Sequence, residues 1–194
     1  MKYKIVCLAF VLSCSWWGYS QDTSEREYRI KKAEFPLIAY EFIKTELSNV
    51  RKLRFYKERD SATTLYKAKL KKDKLYYCLE FDVSGTLKNI EVLITRIDIP
   101  NDSFSVIQAY LEKNINAYKI YKISQQYLVT DEIAVKTTIK NAFQNLIIPS
   151  INYEFVVSDK IDKRQQDYEI LFDSDGNFIR IRKLVPPNYD HVLY

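Results

Sequence analysis

Tyr77-Cys78-Leu79-Glu80-Phe81-Asp82-Val83-Ser84-Gly85 returns ninety-one positions later as Tyr168-Glu169-Ile170-Leu171-Phe172-Asp173-Ser174-Asp175-Gly176, so the pattern Tyr-x-x-x-Phe-Asp-x-x-Gly occurs twice. In each copy the apolar residues alternate, Tyr77, Leu79 and Phe81 in one and Tyr168, Ile170 and Phe172 in the other. That period of two is the mark of a strand with one buried face. Asp82 and Asp173 stand where a carboxylate can accept from turn N–H groups, and Gly85 and Gly176 where a short hairpin loop needs a positive φ. A second strand leaves each turn, over Leu87–Ile94 and Phe178–Leu184.

Working outward, each hairpin has a helix upstream. Phe35-Pro36 opens the first, with Ile38, Phe42 and Leu47 on its apolar face, and Ile99-Pro100 opens the second, with Phe104, Ile107 and Leu111. Pro36 is expected at the first helical position, Pro100 before the second helix, and Asp102 or Ser103 at the second N-cap. Strand-like stretches follow at 52–58, 65–70 and 75–81 in the first copy, and at 118–123, 153–157 and 168–172 in the second. The second copy carries an insert, residues 130–148, whose Ile133, Ala134, Thr137, Phe143, Leu146 and Ile147 predict an extra amphipathic helix ending before Pro149. Residues 160–166 read as a polar loop. The expected fold is α+β: two tandem helix-plus-four-strand repeats, residues 21–99 and 100–185, forming one antiparallel sheet of about eight strands with helices mainly on one face. A short tail, 186–194, follows Pro186-Pro187.

Residues 1–20 read as a secretory signal. Lys2 and Lys4 precede an apolar run from Ile5 to Leu12, and Gly18-Tyr19-Ser20 supplies a cleavage triplet before Gln21. The run is too short to span a bilayer, which takes about 20 apolar residues. Val11-Leu12-Ser13 before Cys14 is the competing lipoprotein reading, weakened by Trp16 and Trp17. Cleavage after Ser20 leaves 174 residues, lowers the net charge from +5 to +3, and leaves Cys78 as the one cysteine, which precludes an internal disulfide. The expected location is therefore periplasmic or extracellular, with no transmembrane segment in the mature chain.

The tandem helix-plus-four-strand order, the Pro before each helix, the two Tyr-x-x-x-Phe-Asp-x-x-Gly hairpins and the signal together resemble the PepSY-like, or β-lactamase-inhibitor-protein-like, exported bacterial proteins over residues 28–184. The resemblance implies an antiparallel sheet with helices on one face and extracytoplasmic binding in place of catalysis. The inhibitory contacts of that family are not motif residues, so none transfers, and inhibition of β-lactamase is not implied. The chain departs from disulfide-bearing inhibitors in its single mature cysteine.

The residues exclude much chemistry. Phosphate and dinucleotide loops need several glycines close together, whereas Gly85 and Gly176 are far apart and already used in turns. His191 and Cys78 are each alone, so neither a transition-metal site nor a Ser-His-acid triad is expected. Asp173 to Asn177 imitates the first half of a calcium loop, but Leu184 stands where the closing Glu belongs, and a hairpin turn is the reading kept. Glu80 with Asp82, and Glu169 with Asp173, read as solvent-face and turn residues, and the alternating lysines as a solvated face guarding the sheet. No cofactor, metal, catalytic residue or nucleic-acid partner is expected. Alternation places Arg54, Tyr56, Lys67, Lys69 and Tyr76 on the face away from the helices, where Tyr and Arg favour a protein partner of unknown identity. The alternatives are a small or apolar ligand between sheet and helices, or a structural envelope accessory protein.

Overall fold

A computed structural model describes residues 26–59, 63–131, 133–161 and 164–184. The signal-like segment, Cys14, His191 and the tail lie outside them. Nine strands form a single antiparallel sheet in which every neighbour in space is a neighbour in sequence. They are β1 (Arg26–Ile30), β2 (Arg51–Arg59), β3 (Thr64–Lys72), β4 (Leu75–Phe81), β5 (Leu87–Ile94), β6 (Lys119–Leu128), β7 (Ile151–Ile161), β8 (Arg164–Asp173) and β9 (Phe178–Leu184). Helix α1 (Leu37–Glu46) joins β1 to β2, α2 (Asn101–Asn114) joins β5 to β6, and α3 (Val135–Phe143) joins β6 to β7. The eight expected strands are present, α3 lies between β6 and β7 where the insert stands, and β1 is a ninth strand that hydrophobic alternation does not announce. Two other expectations are corrected. The loop expected at 160–166 is mostly strand, because β7 and β8 stay paired out to Ile161 and Arg164. The face that α3 buries is Thr138, Ile139 and Ala142, while Ile133 and Thr137 point to solvent.

Registry sets the inner face. Phe55, Ala68, Leu79, Ile90, Tyr127 and Ile151 are successive partners across six strands, and Tyr77, Val92, Gln125, Tyr153 and Phe172 make the next row. All three helices press on this side. Phe35 packs on Phe55 and Phe81, Tyr110 on Phe172, and Phe143 on Tyr77, with ring centroids 4.5–5.8 Å apart. Each buried ring or aliphatic side chain contributes about 1.5–3 kcal/mol relative to exposure, so these two rows are the main adhesive between layers.

Both duplicated turns are built alike. Asp82 Oδ1 accepts from the amides of Ser84 and Thr86, and Asp173 Oδ1 from those of Asp175 and Asn177, at 2.8–3.0 Å. Gly85 and Gly176 sit at φ +87° and +89°. Their second role is close approach: a Cβ on Gly85 would come within 3.0 Å of Ile38 and the Ala39 amide, and one on Gly176 would be driven into the Ser103 carbonyl. Each hairpin therefore docks against the start of its own repeat's helix. Pro36 and Pro100 occupy the N-cap positions, Pro36 one residue before the place expected for it; Asp102 and Ser103 lie inside α2 and neither caps it, and Ser103 instead donates to the Ser174 carbonyl at 2.8 Å.

Candidate functional site

The other sheet face carries the strand residues of opposite parity, and no described helix packs on it. Arg54 pairs with Lys69, Lys69 with Cys78, Cys78 with Glu91, and Glu91 with Gln126 across β2 to β6. Tyr56, Lys67, Glu80 and Asn89 form the adjacent row. A face of this composition reads as solvated, yet most of it is buried by its own neighbours. Cys78 is 1% exposed, Ser124 0%, Lys69 5% and Tyr56 7%. The correction has a simple cause: Lys67 and Lys69 reach the carboxylates of Glu27, Glu58 and Glu80, Lys122 reaches those of Glu91 and Glu154, and the paired stems cover one another.

Three ion-paired groups result. In the first, Lys67 Nζ lies 2.5 Å from Glu58, 2.8 Å from Glu80 and 3.8 Å from Glu27, while Lys69 lies 2.7 Å from Glu27. In the second, Lys122 lies 3.2 Å from Glu91 and 3.3 Å from Glu154, and Gln126 donates to Glu154 at 2.8 Å. In the third, Glu169 takes Arg182 at 2.7 Å and Arg180 at 3.4 Å. Glu80 and Glu169 are thus enclosed ion-pair partners, not solvent-face residues, and Lys67 and Lys69 are not free lysines.

Burial and charge set the proton affinities. Burial opposes the charge on Lys67, but the carboxylates of Glu80, Glu58 and Glu27 outweigh it and hold its pKa well above the lysine value. Burial pushes Glu154 well up, with Glu169 and Glu91 adding repulsion. Glu80 and Glu169 are also raised by burial. Glu91 resists its burial because Lys122 and Lys67 stabilise its charge, and it ends below the usual carboxylate value. Lys122 between two carboxylates thus lies with Glu91 shifted down and Glu154 shifted up. Cys78 is pushed well up by burial and Glu91, which makes its thiol a poor nucleophile. No group of three metal-binding side chains occurs among the described residues. Asp82, half-buried beside Lys88, is held at about 2: burial is the largest single influence and raises it, but the hydrogen bonds from Ser84, Lys88 and Thr86 together outweigh it.

Of the five side chains expected to form a partner surface, all have the anticipated parity, but only two stand near solvent. Arg54 is exposed, and Tyr76 is half-buried with Lys71 and Lys52 over its ring, 4.9 and 5.7 Å from the centroid. Lys52, hydrogen-bonded to the phenol, and Lys71 beside it hold Tyr76 below the ordinary tyrosine pKa. Tyr56 lies under Lys69, 4.6 Å from its ring centroid. Glu91, Lys122 and Glu154 were not singled out by sequence, and Glu169 was read only as a solvent-face residue. Their position in alternating strands was the available signal, and their mutual pairing needed the strand order.

No family model matches the chain, and no curated protein matches it in sequence. Solved structures do. A DUF2874 family protein from Bacteroides uniformis superposes with a TM-score of 0.51 at 13% identity, over 76% of this chain and 88% of that one. A protein from Bacteroides eggerthii, whose name assigns it provisionally to the periplasm, gives 0.51 at 12% identity over 77% and 88%. What is shared is the fold. A BLIP-like protein from Bacteroides fragilis aligns more loosely, at 0.47 and 12% identity over 79% and 89%. At these identities the likeness shows the fold alone.

Proposed function

We propose that the chain is an extracytoplasmic, non-catalytic binding module that holds a protein partner on the helix-free face of its sheet. The observation that carries this reading is the division of labour between faces: α1, α2 and α3 all cover one side, and the other presents Arg54 and Tyr76 at the margin of an ion-paired plate. Tyr and Arg anchor protein interfaces, and a plate whose charges are already paired offers a rigid, pre-ordered support for them. The signal-like residues 1–20 and the periplasmic assignment in the name of one structural neighbour support the location. The test is capture from envelope and secreted fractions, with mass spectrometry, using the chain beside an Arg54→Glu/Tyr76→Ala variant. A single protein enriched on the first and lost on the second supports the module; equal capture by both, or none by a folded bait, refutes it.

A further inference from the structure

We infer that the corner where the start of β2 meets the β3–β4 hairpin binds an acidic segment of a protein partner, an inference that rests on the binding-module reading and gives its partner a chemistry. Arg51, Lys52, Arg54, Lys71 and Lys74 converge there, and none of them has a carboxylate within 4.0 Å among the described residues, unlike the lysines deeper in the plate. Their five charges equal the net charge of the whole chain, +5. Registry places like against like: Arg51 lies opposite Lys71, and Arg54 opposite Lys69. Such cross-strand pairs destabilise a sheet. The backbone is also bent to build the corner. A bulge between Arg51 and Arg54 holds Lys52 at φ +56°, which aims it at Tyr76, and the turn sets Asp73 and Lys74 at +48° and +74°. At Asp73 and Lys74 the positive φ closes a two-residue hairpin turn, so only the bulge at Lys52 and the cross-strand repulsion go unexplained by folding; carboxylates from outside would relieve the repulsion. A long phosphate polymer or a membrane plane fits less well, because beyond the corner it would meet the carboxylates of Glu27, Glu58, Glu80 and Glu91, whereas a short acidic segment ends before them.

The test titrates a fluorescein-labelled poly-glutamate peptide against the chain and two variants. Arg51→Gln/Lys52→Asn/Arg54→Gln/Lys74→Asn removes four of the corner's five positive charges and keeps Lys71, with Asn chosen where φ is positive because it tolerates that region. Lys44→Gln/Lys113→Gln/Lys136→Gln/Lys140→Gln removes the same charge from exposed helix positions. The corner variant should bind about tenfold or more weakly, four exposed ion pairs each being worth a factor of a few, and the helix variant within about twofold of the parent. Added salt should weaken parental binding. Equal loss in both variants, no loss in the corner variant, or no peptide binding by the parent overturns the inference. So does tighter binding of an anionic phospholipid vesicle or a single-stranded oligonucleotide with the same variant dependence. Capture of one partner equally by parent and corner variant refutes the corner and leaves the module; peptide binding that follows the stated pattern without any captured protein supports the corner's acid preference and refutes the module.

Discussion

Replacing Lys67 by Met should expose what the charged plate is worth. The ammonium is the hub for Glu58, Glu80 and Glu27, whose side chains are 11%, 13% and 1% exposed, and it is itself 15% exposed. At an effective dielectric of about 20, a unit charge at the 2.8 Å separation from Glu80 is worth about 6 kcal/mol before desolvation is counted. Methionine keeps the length of the stem and strands Glu58 and Glu80, while Glu27 keeps Lys69. Breaking one partner out of a buried pair costs about 3–5 kcal/mol, and the residual exposure places Lys67→Met near 3–4. For a chain of this size that is a fall in Tm of about 6–15 °C. The pH dependence carries the sign. Lys67 has a raised folded pKa, so its contribution is present below the unfolded value of 10.5 and is lost as pH rises through the folded one. On the acid side, protonating the carboxylates, Glu80 first because burial raises it, removes the stranded charge and narrows the gap between parent and variant. Calorimetry from pH 4 to 8 should therefore show the widest gap near neutrality, with part of the loss restored by adding Glu80→Gln. A cost under about 1 kcal/mol, unchanged with pH, would mean that the plate is not charge-locked.

Other perturbations separate the remaining claims. Gly85→Ala and Gly176→Ala both place a side chain at positive φ, about 1–2 kcal/mol, but only the second drives it into a backbone carbonyl; urea melts should rank Gly176→Ala clearly worse. Glu154→Gln tests the raised carboxylate: a group whose folded pKa lies above its unfolded one lowers stability as pH rises between the two, so the variant should match or exceed the parent at pH 8 and lose that advantage near pH 4 by thermal melting. Tyr153 is fully buried with no hydrogen-bond partner for its hydroxyl, so Tyr153→Phe should be neutral or stabilising in the same melts; a loss above about 1 kcal/mol would show that the hydroxyl is bonded.

The architecture was legible wherever its signal was local. Alternation and Asp-x-x-Gly fixed β4, β5, β9 and both duplicated turns to the residue, because a half-buried strand and a positive-φ glycine leave marks within a few positions. β1 escaped because Arg26-Glu27-Tyr28-Arg29-Ile30 shows charge where a strand usually shows apolar residues; its Glu27 is buried only because Lys69, forty-two positions away, meets it. The same non-locality hid the character of the plate. Lys67 and Lys69 look solvated in one strand and become enclosed only when β1, β2 and β4 supply carboxylates opposite them. The buried side of α3 shifted for a related reason, since Ile139 and Ala142 were chosen by the sheet beneath and not by the insert's own apolar count.

The claim that a protein docks on the helix-free face can be tested inside the cell by site-specific photocrosslinking. A benzoylphenylalanine at Tyr76 should yield one discrete covalent adduct with another protein, and the same group at Lys136, exposed on α3 of the opposite face, should yield none. An adduct from position 136 with none from 76 would place the partner on the helices and contradict the account.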